Sequence, residues 1–148
     1  MKTFDHILMP TDFGAPSAEA VELAVSLATA LKAQLTLLHV WDLPTRPYMD
    51  VVVDSRTLHA LVEKAAAERL QRALEHVRQR IPGAQSALRM GEPWEEILEA
   101  VSTLRPSLLI MGTHGRRGVS RALLGSVTEK LIRLSPVPVL TIRGSEPL

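Results

Sequence analysis

The 148-residue chain has a formal net charge of +1, with 46% of its residues apolar and 22% charged, the composition of a soluble globular domain. This balance gives no reason to expect nucleic acid or an anionic membrane surface as partner, and the length fits one domain over residues 1–148. The absence of cysteine excludes disulfides and thiolate zinc sites.

The amino-terminal MKTFDHILMP holds an acid, Asp5, and an apolar run too short for a signal-peptide core. No later run approaches the ~20 apolar residues of a membrane span, so the expected location is the cytoplasm. HILMP (6–10), stopped by Pro10, and the β-rich QLTLLHV (34–40) are expected as buried strands. Between them Pro16 suits a first helical turn, and Ala20, Ala24, Leu27 and Leu31 recur at helical steps. WDLPTRPYMDVVVDSR (41–56) is expected as a surface loop, either a lid or a variable connection. From Thr57 to about Arg80, a face of Leu58, Leu61, Val62, Ala65, Leu70, Ala73, Leu74 and Val77 predicts a long amphipathic helix that Pro82-Gly83 stops. SALRM (86–90) predicts a third strand. Through Gly91 it leads to EPWEEILEAV, a helix with proline and acids in its first turn. SLLIMG (107–112), a glycine-rich stretch, a helix over 126–134 and VPVLTIR (137–143) complete the order.

Five strands interleaved with four helices predict an α/β fold, a parallel sheet covered on both faces, and right-handed crossovers favour the order 3-2-1-4-5. In that order the first and fourth strands are neighbours whose continuations leave in opposite directions. Ligands bind in the crevice outside such a switch point. Two stretches meet there: PTDFG, with Pro10, Thr11 and Asp12, and the glycine stretch after strand four.

Gly112, Gly115, Gly118 and Gly125 are half of the eight glycines. Converging backbone N–H groups bind phosphate oxygens well, and glycine removes side chains that would block their approach. A helix beginning at Gly125-Ser126 adds its unpaired N–H groups and positive dipole end. Ser126 and Glu129 also match an S-x-x-E capping box, which would compete for a donor. GxxxxGK[ST], GxGxxG after strand one, GxSxG and HExxH are all missing, against a P-loop ATPase, a dinucleotide-binding dehydrogenase and the common hydrolases and zinc proteases.

The spacing GxxGx9G[ST] does fit, from Gly112 and Gly115 to Gly125-Ser126. With HILMPTDFG, LTLLHVWD, GEPWEEILEAV, SLLIMGTHG and SPVPVLTIR in this order, the chain resembles, over essentially its whole length, the ATP-binding branch of the universal stress protein family. The resemblance implies a Rossmann-like, adenine nucleotide alpha hydrolase-like fold and ATP as ligand, with Mg²⁺. It implies Asp12 beside the adenosine, with Pro10 and Thr11 before it, and the backbone of Val40 against the adenine. Met111 and Gly112 would border the nucleoside, and His114, Gly115 and Gly118 belong to the loop that closes over the phosphates. Gly125, Ser126, Val127 and Thr128 would hold the phosphate chain, with Arg116 and Arg117 as nearby charge. Phe13-Gly14 departs from the small polar residues that often follow the aspartate.

Simpler roles stand beside these. Asp12 after a proline suits turn chemistry alone, His114 a solvent-facing loop, and the arginines a solvated surface. His6, His39, His59 and His76 lack metal-ligand spacing and receive no role. Met9, Met90 and Met111 are expected as core or pocket wall. No base for hydrolysis stands out, so the leading reading is an ATP-binding switch in stress response. A slow ATPase and a nucleotide-free interaction dimer remain open. Pro138 marks the last strand as an edge, and the expected partner is a second copy paired through Val137 to Arg143, as is common in the family.

Overall fold

The computed structural model describes residues 3–43, 54–113 and 125–143. In chain order they form β1 (His6–Pro10), α1 (Ala15–Leu31), β2 (Gln34–Trp41), α2 (Ser55–Arg78), β3 (Gln85–Met90), α3 (Pro93–Leu104), β4 (Leu108–Gly112), α4 (Ser126–Leu134) and β5 (Val139–Ile142). All pairings are parallel and the order is β3-β2-β1-β4-β5, the sheet expected from the alternation of strands and helices.

Side chains of a strand alternate between faces, and both faces here are apolar. Ile7, Met9, Leu35, Leu37 and Ile110 pack with Ala20 and Ala24 of α1 and Leu70 and Leu74 of α2. Leu8, Leu38, Leu109 and Met111 pack with Ile97 and Val101 of α3 and Leu131 of α4. Each fully buried leucine or isoleucine contributes about 2 kcal/mol of transfer free energy. Among the described residues, no helix is long and apolar enough to cross a membrane.

Several boundaries differ from the sequence expectation. Of the stripe expected on α2 only Leu70, Leu74 and Val77 are buried, joined by Ala66, whereas Leu58, Val62 and Ala73 are half-buried and Leu61 and Ala65 exposed. The 24-residue helix runs about 36 Å, well past the roughly 20 Å of the six-residue β3 on which it packs. Leu31, the last residue of α1, is exposed as well. Met90 is not core, being exposed at the end of edge strand β3. β2 extends through Trp41, because Trp41 stays in register with Met90 and its carbonyl accepts the Gly91 N–H at 2.9 Å. Gly91 has φ 145, and a Cβ there would lie 3.0 Å from the Glu96 side chain, so this turn requires glycine. β5 is shorter than 137–143: Pro138 has no N–H to give, and the Val137 N–H turns to Ser135 Oγ at 3.2 Å. Of the segment 41–56, residues 44–53 lie outside the described residues, as does the question of a lid.

At the amino ends of the strands, Ser107 joins β4 to β1. Its N–H and hydroxyl both donate to the His6 carbonyl, at 2.8 and 3.0 Å, and its Oγ accepts the His6 N–H at 3.0 Å. The His6 ring lies 2.9 Å from Thr36 Oγ1. Burial lowers the His6 pKa below 6.5, opposed by Asp5 and by a backbone bond at Leu104. The unfolded chain therefore takes up this proton first as pH falls. The contribution is whole above pH 6.5 and is lost as pH falls through the folded value. An NMR titration of His6 should show a midpoint below 6.5, and His6→Asn should flatten the loss of urea midpoint between about pH 7 and pH 5. A midpoint above 6.5 would contradict this account.

Candidate functional site

Two turns leave the carboxyl ends of neighbouring strands β1 and β4. After Pro10, the Thr11 N–H donates to the Leu38 carbonyl at 2.8 Å, which ties the turn to β2. Asp12 Oδ1 accepts from the Gly14 N–H at 2.9 Å and from Ser17 Oγ at 2.6 Å. The turn chemistry expected of Asp12 is therefore present as two hydrogen bonds, both on one carboxylate oxygen. Phe13 sits at φ 64, where a bulky residue is strained by about 1–2 kcal/mol. Its N–H donates to Thr11 Oγ1 at 3.1 Å, and its ring lies 4.4 Å from the His39 ring. His39 Nδ1 is 2.8 Å from the Thr11 carbonyl. A carbonyl only accepts, so Nδ1 carries the proton.

On the other side, Met111 is buried and Gly112 half-buried at the end of β4, and the Thr113 N–H donates to Ile142 O at 2.9 Å. The Gly125 N–H donates to Thr113 O at 2.9 Å, so the residues on either side of 114–124 meet. Thr128, buried, donates its hydroxyl to the Gly112 carbonyl at 3.1 Å and fastens the first turn of α4 to the end of β4. Thr113 Oγ1 is buried with no hydrogen-bond partner among the described residues.

The capping box is not formed. Gly125 is the N-cap, its carbonyl accepting the Glu129 N–H at 3.0 Å, and Ser126 is already the first helical residue, with no side-chain cap bond. Glu129 instead lies 3.6 Å from Arg133 one turn on. The main-chain N–H groups of Ser126, Val127 and Thr128, in the first turn, have no acceptor within the helix and point out of its amino end. A carboxylate at N3 no longer competes for them.

Val40, next to last in β2, and Val127 of α4 pack against the cluster that holds Met111, so these three share the face covered by α3 and α4. Lys130 Nζ lies 4.5 Å from the Trp94 ring and joins α4 to the first turn of α3, a contact the sequence did not suggest. Pro10, Thr11, Asp12, Val40, Met111, Gly112, Gly125, Ser126, Val127 and Thr128 thus all lie at the carboxyl end of the sheet or at the amino end of α4. His114, Gly115, Arg116, Arg117 and Gly118 lie outside the described residues. Sequence reasoning missed Ser17, Thr113 and His39; the histidine's position in a buried strand gave no sign of which turn it would reach.

The chain matches the model of the universal stress protein family over residues 3–143. It is 30% identical to the universal stress protein YxiE of Bacillus subtilis over 95% of this chain and 99% of that protein. The solved structure of MJ0577, a protein of Methanocaldococcus jannaschii, is similar with a TM-score of 0.79 at 28% identity, covering 98% and 99% of the two chains. A universal stress protein in complex with cAMP shares the fold, with a TM-score of 0.70 at 21% identity over 97% and 99% of the two chains.

Thr128→Val keeps the shape but removes the bond to Gly112. The expected cost is about 1 kcal/mol, read as a lower urea midpoint with an unchanged m-value. An unchanged midpoint would mean that the bond does not fasten α4.

Proposed function

This chain belongs to the universal stress protein family, and we propose that it binds ATP, with Mg²⁺, in the crevice between the ends of β1 and β4. The observation that carries the reading is the amino end of α4. It is opened by a glycine with no capping side chain and fastened beside the switch point by Gly125 N–H to Thr113 O and Thr128 Oγ1 to Gly112 O. Three main-chain donors and a positive dipole end suit a phosphate chain. The residues present fit the rest of the nucleotide. By the family resemblance the backbone of Val40 would meet the adenine and Met111 would border the nucleoside, and Asp12, whose Oδ1 serves the turn, has a second oxygen to accept from a ribose hydroxyl. Thr113 Oγ1 is a buried hydroxyl that a polar ligand group or water would satisfy.

Among the described residues no three His, Cys, Asp or Glu side chains are grouped to hold a metal, so Mg²⁺ would enter on the phosphates with its waters. Arg116, Arg117 and His114 are proposed as further contacts through the GxxGx9G[ST] spacing, with Gly115 and Gly118 leaving room for the phosphates. We assign no general base: Asp12 is proposed at the nucleoside rather than the γ-phosphate, and Glu129 pairs with Arg133. The function proposed is that of a cytoplasmic nucleotide-dependent switch in stress response. β5 is the proposed contact for a homodimer. It is a sheet edge whose four residues are only half-buried, and Ile132 and Leu134 of the adjoining α4 are exposed.

Titration calorimetry with Mg-ATP should give a binding isotherm, and freshly purified protein should release nucleotide on heat denaturation. No release and no heat at about 1 mM ATP, a level corresponding to only about 4 kcal/mol of affinity, would end the reading. Gly125→Val should abolish binding while the protein stays folded. Gly125 has φ −58 and ψ 149, which valine adopts without strain, so the substitution tests space for phosphate rather than the backbone. Retained affinity would show that this helix end is not the cradle. Asp12→Ala should weaken binding by up to about 3 kcal/mol, the loss of a charge-assisted hydrogen bond. Light scattering should give twice the monomer mass, and a monomer at working concentration would remove β5 as a self-pairing edge.

A further inference from the structure

We propose that His39 is a positioning residue that clamps the turn between β1 and α1 from behind and so sets where Asp12 is presented; the consequence for nucleotide affinity rests on the ATP reading above. His39 and Val40 are consecutive in β2, and their side chains leave opposite faces. Val40 joins the α3 and α4 side, together with Met111. His39 is in line with Leu35 and Leu37 on the α1 and α2 side, away from the proposed ligand. From there a single imidazole engages the residues on both sides of Asp12. Its Nδ1–H donates to the Thr11 carbonyl at 2.8 Å, and its ring lies 4.4 Å from that of Phe13 at an interplanar angle of 47°.

The Thr11 main chain is thereby held at both polar ends by adjacent β2 residues, its N–H on the Leu38 carbonyl and its carbonyl on His39. Phe13, left-handed at φ 64, holds a conformation that side chains rarely adopt unless their surroundings impose it. The His39 ring is part of that imposition. Between the two clamped residues, Asp12 keeps Oδ1 on the Gly14 N–H and on Ser17 Oγ, which fixes the direction of the other oxygen. Any tilt of the Thr11 or Phe13 peptide would carry the carboxylate with it.

The clamp needs a donor at the Nδ1 position. Asparagine places its amide nitrogen there, glutamine reaches one bond too far, and leucine offers none. His39→Leu, His39→Gln and His39→Asn are therefore compared with the unaltered protein, Asp12→Ala and the double variant Asp12→Ala with His39→Leu. Without nucleotide, hydrogen exchange at the Phe13 and Gly14 amides should speed up about 10-fold in the leucine and glutamine variants, the worth of one hydrogen bond. It should return toward the original rate in the asparagine variant, with Val25 and Leu109 unchanged throughout. With Mg-ATP, His39→Leu should raise Kd by about 10-fold and add nothing to Asp12→Ala, because both act through one carboxylate. Should the leucine variant fail to fold, the asparagine and glutamine pair carries the same contrast.

Unchanged Phe13 and Gly14 exchange in a folded leucine or glutamine variant would overturn the clamp, whatever the protein binds. Fully additive Kd effects would overturn its link to Asp12. Absence of ATP binding by the unaltered protein would instead refute the nucleotide reading and with it that link, leaving exchange to decide the clamp.

Discussion

The structure depends on one constraint, the parallel pairing of β1 with β4. Ile7 stands opposite Leu108 and Leu8 opposite Leu109. From β1 the chain passes to α1, which covers the face of Ile7 and Met9; from β4 it comes to α4, which covers the face of Leu8 and Leu109. Neighbouring strands whose continuations take opposite faces leave a notch above their carboxyl ends that neither helix fills. The register of two apolar strands, a matter of core packing, thus decides where a ligand has room. The Ser107 bonds to His6 fasten the same pair at its other end.

Each turn is then built by its own local chemistry. At Gly125 the N-cap carbonyl starts the helix while no side chain takes the first amides. Most helix starts are stabilised by a Ser, Thr, Asp or Asn cap worth about 1 kcal/mol, and here that stabilisation is forgone. Thr128 and Thr113 supply the fastening instead.

The order of the sheet, its parallel sense and the two converging turns were legible in the sequence because short apolar runs and helical periods alternate with little ambiguity. Lengths were less legible. β5 was expected from Val137, but Pro138 cannot donate to a ladder, and the apolar period of α2 continued past the strands available to bury it. The capping box failed because a four-residue pattern does not say where a helix begins; the carbonyl of Gly125, one residue earlier, took the first helical bond. Ser126 itself was correctly expected at the helix start. His39 was illegible for another reason. Its partners are a carbonyl and a ring contributed by β1's following turn, 28 residues away in sequence for Thr11, and only strand pairing brings them together.

Asp12 shows why turn chemistry does not exclude the proposed ligand contact. A carboxylate has two oxygens, and a turn that engages only one converts a freely rotating side chain into a fixed one. The rotamer entropy a ligand would otherwise have to remove is already lost on folding, so the bonds to Gly14 and Ser17 preorganise an acceptor as well as shaping the turn. By the same logic the strain at Phe13 is part of the proposed site. It is a cost met by the surrounding contacts, and its effect is to hold the chain in one conformation beside Asp12.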